Sequence, residues 1–381
     1  MKRTKKPLKA AALFAAIVLA AGMPLKNSSF FAEPLAANAA DESYQEGSDS
    51  LCYYKKYSDH IEISSFKSMD MDSLTIPDTI DGLPVTVIGI YAGQICNMKT
   101  LTLPDTLKEI GPYCFSNCPN LTTLIIPDSL EKIGFRAFED CTSLATINFP
   151  DHLVKTGSFT FDDTPWLTAQ RQNNPLVIVN GAVIDGRTCK GDVEIPSNVK
   201  YVASGAFSRN ENITSCVIPS GVTEITDDMF FYCSNLTSVE LKGCTSLGIM
   251  TFADCNKLTD IKLSGKLTKI DGYAFDDNTA TATITFRASE AAWNAVDKPS
   301  NDPFLQRANM VFDESYHEES EKVIGDINMD GVCDKKDAVL LQSWLVANPD
   351  TELANWKAGD LNKDGKLTAV DLTLLKHILL K

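Results

Sequence analysis

Between about residues 52 and 312 the apolar and punctuating residues return with one period. Pro104, Pro127 and Pro150 lie 23 residues apart, Pro196 follows after twice that interval, and Pro219 after one more. Phe115, Phe138, Phe161, Phe207 and Phe230 keep the same step, Phe252 comes one residue early, and Phe275 resumes it. A complete unit runs from Leu121 to Ser143. Leu121, Leu124 and Ile126 follow an L-x-x-L-x-L spacing, and the last two sit at strand period and point to one side. Leu130, Ile133 and Phe138 supply further inward residues, and Pro127 and Gly134 mark corners. One such unit cannot bury its apolar face alone. Copies stacked on each other build a continuous core and a parallel sheet, so a sustained 23-residue period predicts a solenoid.

The departures from the period are also informative. Leu74-Thr75-Ile76-Pro77 stands 27 residues before the next proline-marked strand. Lys242 and Ser264 replace proline in the last two full turns. Residues 166–191 occupy one repeat length without its Pro and Phe marks. There, Leu176–Ile184 reads as an inserted hairpin turning at Asn180-Gly181. Tyr53–Phe66 is predicted as an N-terminal hairpin cap, and Ser289–Val296 as a short helix before a final strand. These residues resemble the BspA-like leucine-rich repeat of bacterial surface antigens. The resemblance implies an α/β-type leucine-rich repeat solenoid, parallel and β-rich, over residues 41–312 with its caps.

The first 40 residues carry a different pattern. A basic stretch from Lys2 to Lys9 precedes an apolar run, Ala10–Gly22, that is short for a membrane span. Ala36-Ala37-Asn38-Ala39-Ala40 then offers a small-residue cleavage site. Residues 1–40 are read as a secretory signal peptide, the other reading being an uncleaved anchor. The chain has 381 residues and a formal net charge of −15. Six basic residues and one acid fall within the first 40, so the remainder carries −20. No basic cluster survives past residue 40, which argues against nucleic acid as a partner. The eleven cysteines are an odd number without a CxxC pair, and four of them (Cys118, Cys141, Cys233, Cys255) recur at one place in the repeat. That is the pattern of a buried small apolar residue stacking on its copies rather than a disulfide framework or a zinc site.

The register places Thr100, Thr102, Thr123, Ile125, Thr146, Asn148, Asp192, Glu194, Ser215, Val217, Ser238, Glu240, Asp260 and Lys262 on the outward face of the strands. The face is rich in hydroxyls and becomes more charged toward the C-terminus. It has no aromatic stripe for stacking sugars. Asp192 and Glu194 are solvent-facing neighbours on one strand rather than a glycosidase pair. His60, His152 and His317 are far apart, and no Ser or Cys carries a nucleophile motif, so no catalytic residue is assigned.

After an acidic linker at 313–324 comes Gly325-Asp326-Ile327-Asn328-Met329-Asp330-Gly331-Val332-Cys333-Asp334-Lys335-Lys336-Asp337, matched 34 residues later by Gly359–Asp371. Each is a twelve-residue calcium loop. Oxygen ligands fall at positions 1, 3 and 5: Asp326, Asn328 and Asp330, then Asp360, Asn362 and Asp364. Gly331 and Gly365 make the sharp turn at position 6. Val332 and Lys366 offer backbone carbonyls at position 7. Asp334 and Thr368 stand at position 9, and Asp337 and Asp371 close the loops, where the common EF-hand has Glu. Two Ca2+ ions are therefore expected. The helix behind each loop also repeats: Ala338, Leu340, Leu341, Trp344, Leu345 and Val346 match Leu372, Leu374, Leu375, Ile378, Leu379 and Leu380.

This duplicated loop-helix unit, residues 325–381, resembles a type I dockerin, a small all-α module. The resemblance implies calcium-dependent binding to the cohesin domain of a scaffoldin, with recognition at loop positions 10 and 11 and along the following helix. By position those residues are Lys335, Lys336, Gln342 and Ser343 in copy one, and Ala369, Val370, Lys376 and His377 in copy two. Lys-Lys in one copy opposes Ala-Val in the other, which departs from the symmetric dockerin pattern and suggests one favoured binding face. The expectation is a secreted, non-catalytic cellulosome component, extracellular or cell-surface associated, whose repeats bind a protein or polysaccharide. The rivals are a hydrolase acting on plant cell-wall polysaccharide and a surface adhesin.

Overall fold

The computed structural model describes residues 43–315, 325, 327–328, 333–346, 353, 356–361 and 366–379. The segment read as a signal peptide and most of the acidic linker lie outside them. Among the described residues, no helix is long and apolar enough to cross a membrane.

The repeat region is a parallel-strand solenoid of about 11 turns. Each turn contributes one strand to a main sheet. Ser73–Thr75, Thr100–Thr102, Thr123–Ile125 and Thr146–Asn148 form a four-stranded parallel sheet, Thr123 pairing with Thr146 one period on. Gly191–Glu194, Ile213–Ile218, Ser238–Leu241, Asp260–Leu263, Thr283–Phe286 and Asn309–Phe312 form a six-stranded one, also parallel. In both sheets the middle residue of each short strand is the more buried and its neighbours face out, as the period-two register predicted. Two-residue strands at the second corner, such as Glu109–Ile110, Lys132–Ile133 and Lys155–Thr156, pair from coil to coil as well. The N-terminal cap is antiparallel. Gln45–Ser48 and Cys52–Lys56 lead into Ile61–Phe66, which pairs in parallel with Leu83–Ile88. At the other end, the Glu290–Ala295 helix, N-capped by Ser289, and the Pro303–Arg307 helix, N-capped by Asp302, precede the last strand.

The phenylalanines form the spine. Phe115, Phe138 and Phe161 stack face to face with centroids 5.6 and 5.9 Å apart, and Phe207, Phe230, Phe252, Phe275 and Phe304 repeat this at 4.8–5.5 Å. All are almost completely buried. Beside the phenylalanines of the repeat turns the backbone passes twice through the left-handed region, four residues apart, as at Tyr113 and Asn117, Arg136 and Asp140, Asp228 and Tyr232, Met250 and Asp254, and Tyr273 and Asp277. Such a conformation costs a non-glycine residue about 1–2 kcal/mol. What offsets it is that no backbone donor in the turn is left over. The Tyr113, Phe115 and Asn117 amides donate to Phe135, Ala137 and Glu139 of the next coil at 2.7–2.8 Å, and those of Cys114 and Ser116 donate back within the coil.

The periodic cysteine is buried, as expected, but it is also a hydrogen-bond donor. The Cys141, Cys233 and Cys255 thiols donate to the carbonyls of Phe115, Phe207 and Phe230 in the preceding coil at 3.0–3.2 Å. Where the column lacks Cys, a stronger donor takes over. The Asn278 amide reaches the Phe252 and Phe275 carbonyls at 2.8 Å, and Asn210 those of Gly186 and Cys189. The position thus selects a small side chain able to cap a carbonyl that the turn leaves inside.

Residues 166–191 interrupt the stack. Pro165–Asn173 is a helix N-capped by Thr164, which the sequence reading did not anticipate. Its Trp166 packs edge-on against Phe161 at 5.2 Å and closes the first core. Val177–Val179 and Ala182–Asp185 then make the expected antiparallel hairpin. Gly186 lies against the Phe207 ring, where a side chain would collide with it. Two apolar clusters result, one on each side of the insertion. Asp162, Arg171, Asp185 and Arg187 hold this region with a network of ion pairs. Arg171 grips Asp185 with two bonds of 2.8–2.9 Å, and Arg187 bridges Asp185 and Asp162. Burial pulls the Arg187 pKa down, but hydrogen bonding to Asp162 and the charge of Asp185 outweigh it, so the net shift is upward.

Ten of the eleven cysteines are buried thiols and Cys333 is half-buried. Burial pushes the Cys52 thiol up to about 12 and those of Cys189 and Cys244 to about 11. A thiol-reactive chromophore at pH 8 is expected to titrate at most one cysteine in the native chain and all eleven in denaturant. Prompt reaction of three or more native thiols would contradict this packing. Phe138→Ala should lower unfolding stability by about 3–5 kcal/mol in a denaturant titration, because it opens a cavity in the spine.

Candidate calcium loops and docking face

Besides a single turn at Trp356–Gly359, the C-terminal region has two longer helices, and each of these starts from a capping box. In Lys335–Leu345, Asp334 is the N-cap and Asp337 the third residue; in Ala369–Ile378, Thr368 and Asp371 take these places. Asp337 and Asp371, at loop position 12, are fully buried. Their partners show how the loops close. Asp337 Oδ1 accepts the Ile327 and Asn328 amides at 2.8 and 3.1 Å, and Oδ2 accepts the Asp334 amide at 2.8 Å. Asp371 Oδ1 accepts the Leu361 amide at 2.9 Å, and Oδ2 the Thr368 amide at 2.9 Å and its hydroxyl at 3.0 Å. In both copies one carboxylate therefore ties the start of the loop to the start of the helix, at the helix end that favours negative charge.

This brings positions 2, 3, 9 and 12 of the first loop together, and positions 2, 9 and 12 of the second. Asp326, Asp330, Val332, Asn362 and Asp364 lie outside the described residues, while Asp360 is half-buried and Lys366 exposed. The side-chain donors among the described loop residues are oxygens, the kind a hard cation takes. Among the described residues, those of the two loops included, no three His, Cys, Asp or Glu side chains are gathered to hold a metal.

The two units share one small core of Ile327, Ala338, Leu341 and Leu375, flanked by Cys333, Leu340, Leu345, Leu361, Leu367, Leu372 and Leu379. The helical repeat did not distinguish these inward residues from outward ones. Trp344, Val346, Leu374 and Ile378 belong to the same sequence pattern yet are exposed, as are Val339 and Val370. Val370, Leu374 and Ile378 are 54%, 39% and 44% exposed and lie at i, i+4 and i+8, a single apolar stripe on the second helix. The first helix carries Lys336, Leu340 and Trp344 at the matching positions.

Of the residues assigned to partner recognition, Lys335, Lys336, Gln342, Ala369, Val370, Lys376 and His377 are exposed and Ser343 is half-buried. Lys376 Nζ donates to Gln342 Oε1 at 3.4 Å. These two residues are 34 apart, so equivalent positions of the two copies meet. The contact brings Gln342 of the first set beside Lys376 of the second.

The outward face of the repeats is exposed and neutral from Thr100 to Asn148. The second sheet is more charged and partly self-satisfied. Asp192 accepts the Ser215 and Thr214 hydroxyls at 2.6 and 2.9 Å, which holds its carboxyl below the usual range. Glu240 receives the Arg287 guanidinium at 2.5 Å. His60 stacks on Tyr57 beside Asp59, and His152 Nε2 lies 3.0 Å from the Leu130 carbonyl, so neither faces a nucleophile. His317 lies outside the described residues.

Residues 59–182 and 187–294 match the BspA type leucine rich repeat region, in six copies. Residues 324–380 match the dockerin type I domain. A leucine rich repeat protein of T. pallidum is 26% identical over 56% of this chain and 91% of its own, with a TM-score of 0.33. A leucine rich cell surface protein of Faecalibacterium prausnitzii A2-165 is 19% identical over 69% of this chain and 100% of its own, with a TM-score of 0.32. No curated protein matches. With the repeat match spanning more than half of its residues, the chain belongs to the BspA type leucine rich repeat family and ends in a dockerin type I domain.

Proposed function

We propose that this chain is a secreted, non-catalytic cellulosome component. Its dockerin binds the cohesin domain of a scaffoldin in a calcium-dependent way, and its repeats bind a protein or polysaccharide outside the cell. The observation that carries the reading is the pair of buried position-12 carboxylates, each tying its loop to a helix whose outer side is exposed. Neither matched family is a catalytic module.

In this reading Asp326, Asn328, Asp330, Val332, Asp334 and Asp337 hold one ion, and Asp360, Asn362, Asp364, Lys366, Thr368 and Asp371 the other. Bound calcium would supply positive charge where like carboxylates otherwise repel. Asp337 and Asp371 orient each helix through its capping box. The helices in turn present Lys335, Lys336, Gln342 and Ser343 beside Ala369, Val370, Lys376 and His377. The two ends of the face differ in charge, which supports one favoured binding orientation. The neutral hydroxyl-rich sheet suits hydrogen bonding to an extended ligand.

Calorimetry of the full chain with a type I cohesin should show tight binding in calcium and none in excess EDTA; equal affinity in both buffers would sink the proposal. Val370→Asp should weaken cohesin binding at least tenfold, about 1.4 kcal/mol, while leaving calcium binding unchanged. Release of reducing sugar from cell-wall polymers by the purified chain would favour the hydrolase instead.

A further inference from the structure

The two calcium loops are not equivalent, and the difference lies at position 9. In the first loop Asp334 uses Oδ1 to accept the Lys336 amide at 2.7 Å, and its Oδ2 lies 3.4 Å from the exposed Lys336 ammonium. A carboxylate can serve the helix with one oxygen and still present the second, ionised one. In the second loop Thr368 has one oxygen for both tasks. Its hydroxyl accepts the Val370 amide at 3.2 Å and donates its proton to Asp371 Oδ2 at 3.0 Å. The position-9 group is thus neutral, and its proton is spent on the carboxylate that closes the loop.

The charge count runs the same way. Loop one holds four carboxylates (Asp326, Asp330, Asp334, Asp337) and two lysines at its end (Lys335, Lys336). Loop two holds three (Asp360, Asp364, Asp371), with Lys363 and Lys366 inside the ligand run. Calcium affinity in such loops is tuned by the number of charged ligands.

Resting on the calcium reading above, we infer that the loops fill in order, the first at lower calcium than the second, and that Asp334 against Thr368 sets the separation. Between the two midpoints the chain holds one ion, and only the Lys335–Leu345 helix is locked to a filled loop. Docking that engages both helices then follows the weaker loop and begins at higher calcium than the filling of the first.

The test is calorimetric titration of the chelator-stripped full chain with calcium chloride, without cohesin. Two steps separated by about tenfold or more are expected. Thr368→Asp should strengthen the weaker step about tenfold and leave the tighter one in place. Asp334→Thr should weaken the tighter step until the two merge. Two equal sites in the native chain would overturn the inference, as would Thr368→Asp acting on the tighter step, and either result would leave the calcium reading standing. Absence of any calcium binding would overturn that reading, and the inference with it.

Discussion

Everything in the repeat region depends on one coil lying directly on the next. A single 23-residue turn leaves its Phe and leucines half covered and its turn amides without acceptors. The neighbouring coil resolves both at once: ring stacks on ring at 5–6 Å, and each alternate amide finds a carbonyl of the next coil. The left-handed residues beside the Phe column are tolerated for this reason. Tyr113, Arg136 and Met250 would resist that conformation in isolation, but moving one out of it would break a hydrogen bond on each side. The same accounting explains the cysteine column. The turn leaves a carbonyl inside, and Cys, Thr or Asn is retained where a small donor must meet it.

The interruption at residues 166–191 shows what happens when the stack stops. Trp166 and Leu167 close the first apolar cluster, and a new one starts at Ala182. Two arginines and two aspartates hold the insertion, with Asp185 accepting from both arginines and Asp162 from Arg187. Such a network is worth little as net stabilisation, because desolvation consumes most of the Coulomb gain, but it specifies geometry. The dockerin uses the same device on a smaller scale. Asp337 and Asp371 are buried charges made acceptable by three or more hydrogen bonds each, and that requirement fixes where the loop must return.

The sequence by itself determined what repeats. The 23-residue interval specified a solenoid, its inward and outward strand positions and its Phe spine. The 34-residue interval specified two loops and two helices. A contact made again at a constant offset leaves a period, and a period can be read without coordinates. The hairpin turning at Asn180-Gly181 was legible too, since its turn chemistry is local.

Tertiary structure decided what occurs once. Arg171 meets Asp185 across 14 residues and Arg187 meets Asp162 across 25 without any spacing rule, so no pattern announced them. The Pro165–Asn173 helix forms where it can cover the end of a core, a condition absent from its own residues. The apolar positions of the dockerin helices looked alike until the fold sorted them. Leu341 and Leu375 face the shared core where the two helices pack, beside the Gln342–Lys376 contact, and Trp344, Leu374 and Ile378 are left to solvent. Helical periodicity records which residues share a side, whereas only packing of one helix against another decides which side is buried.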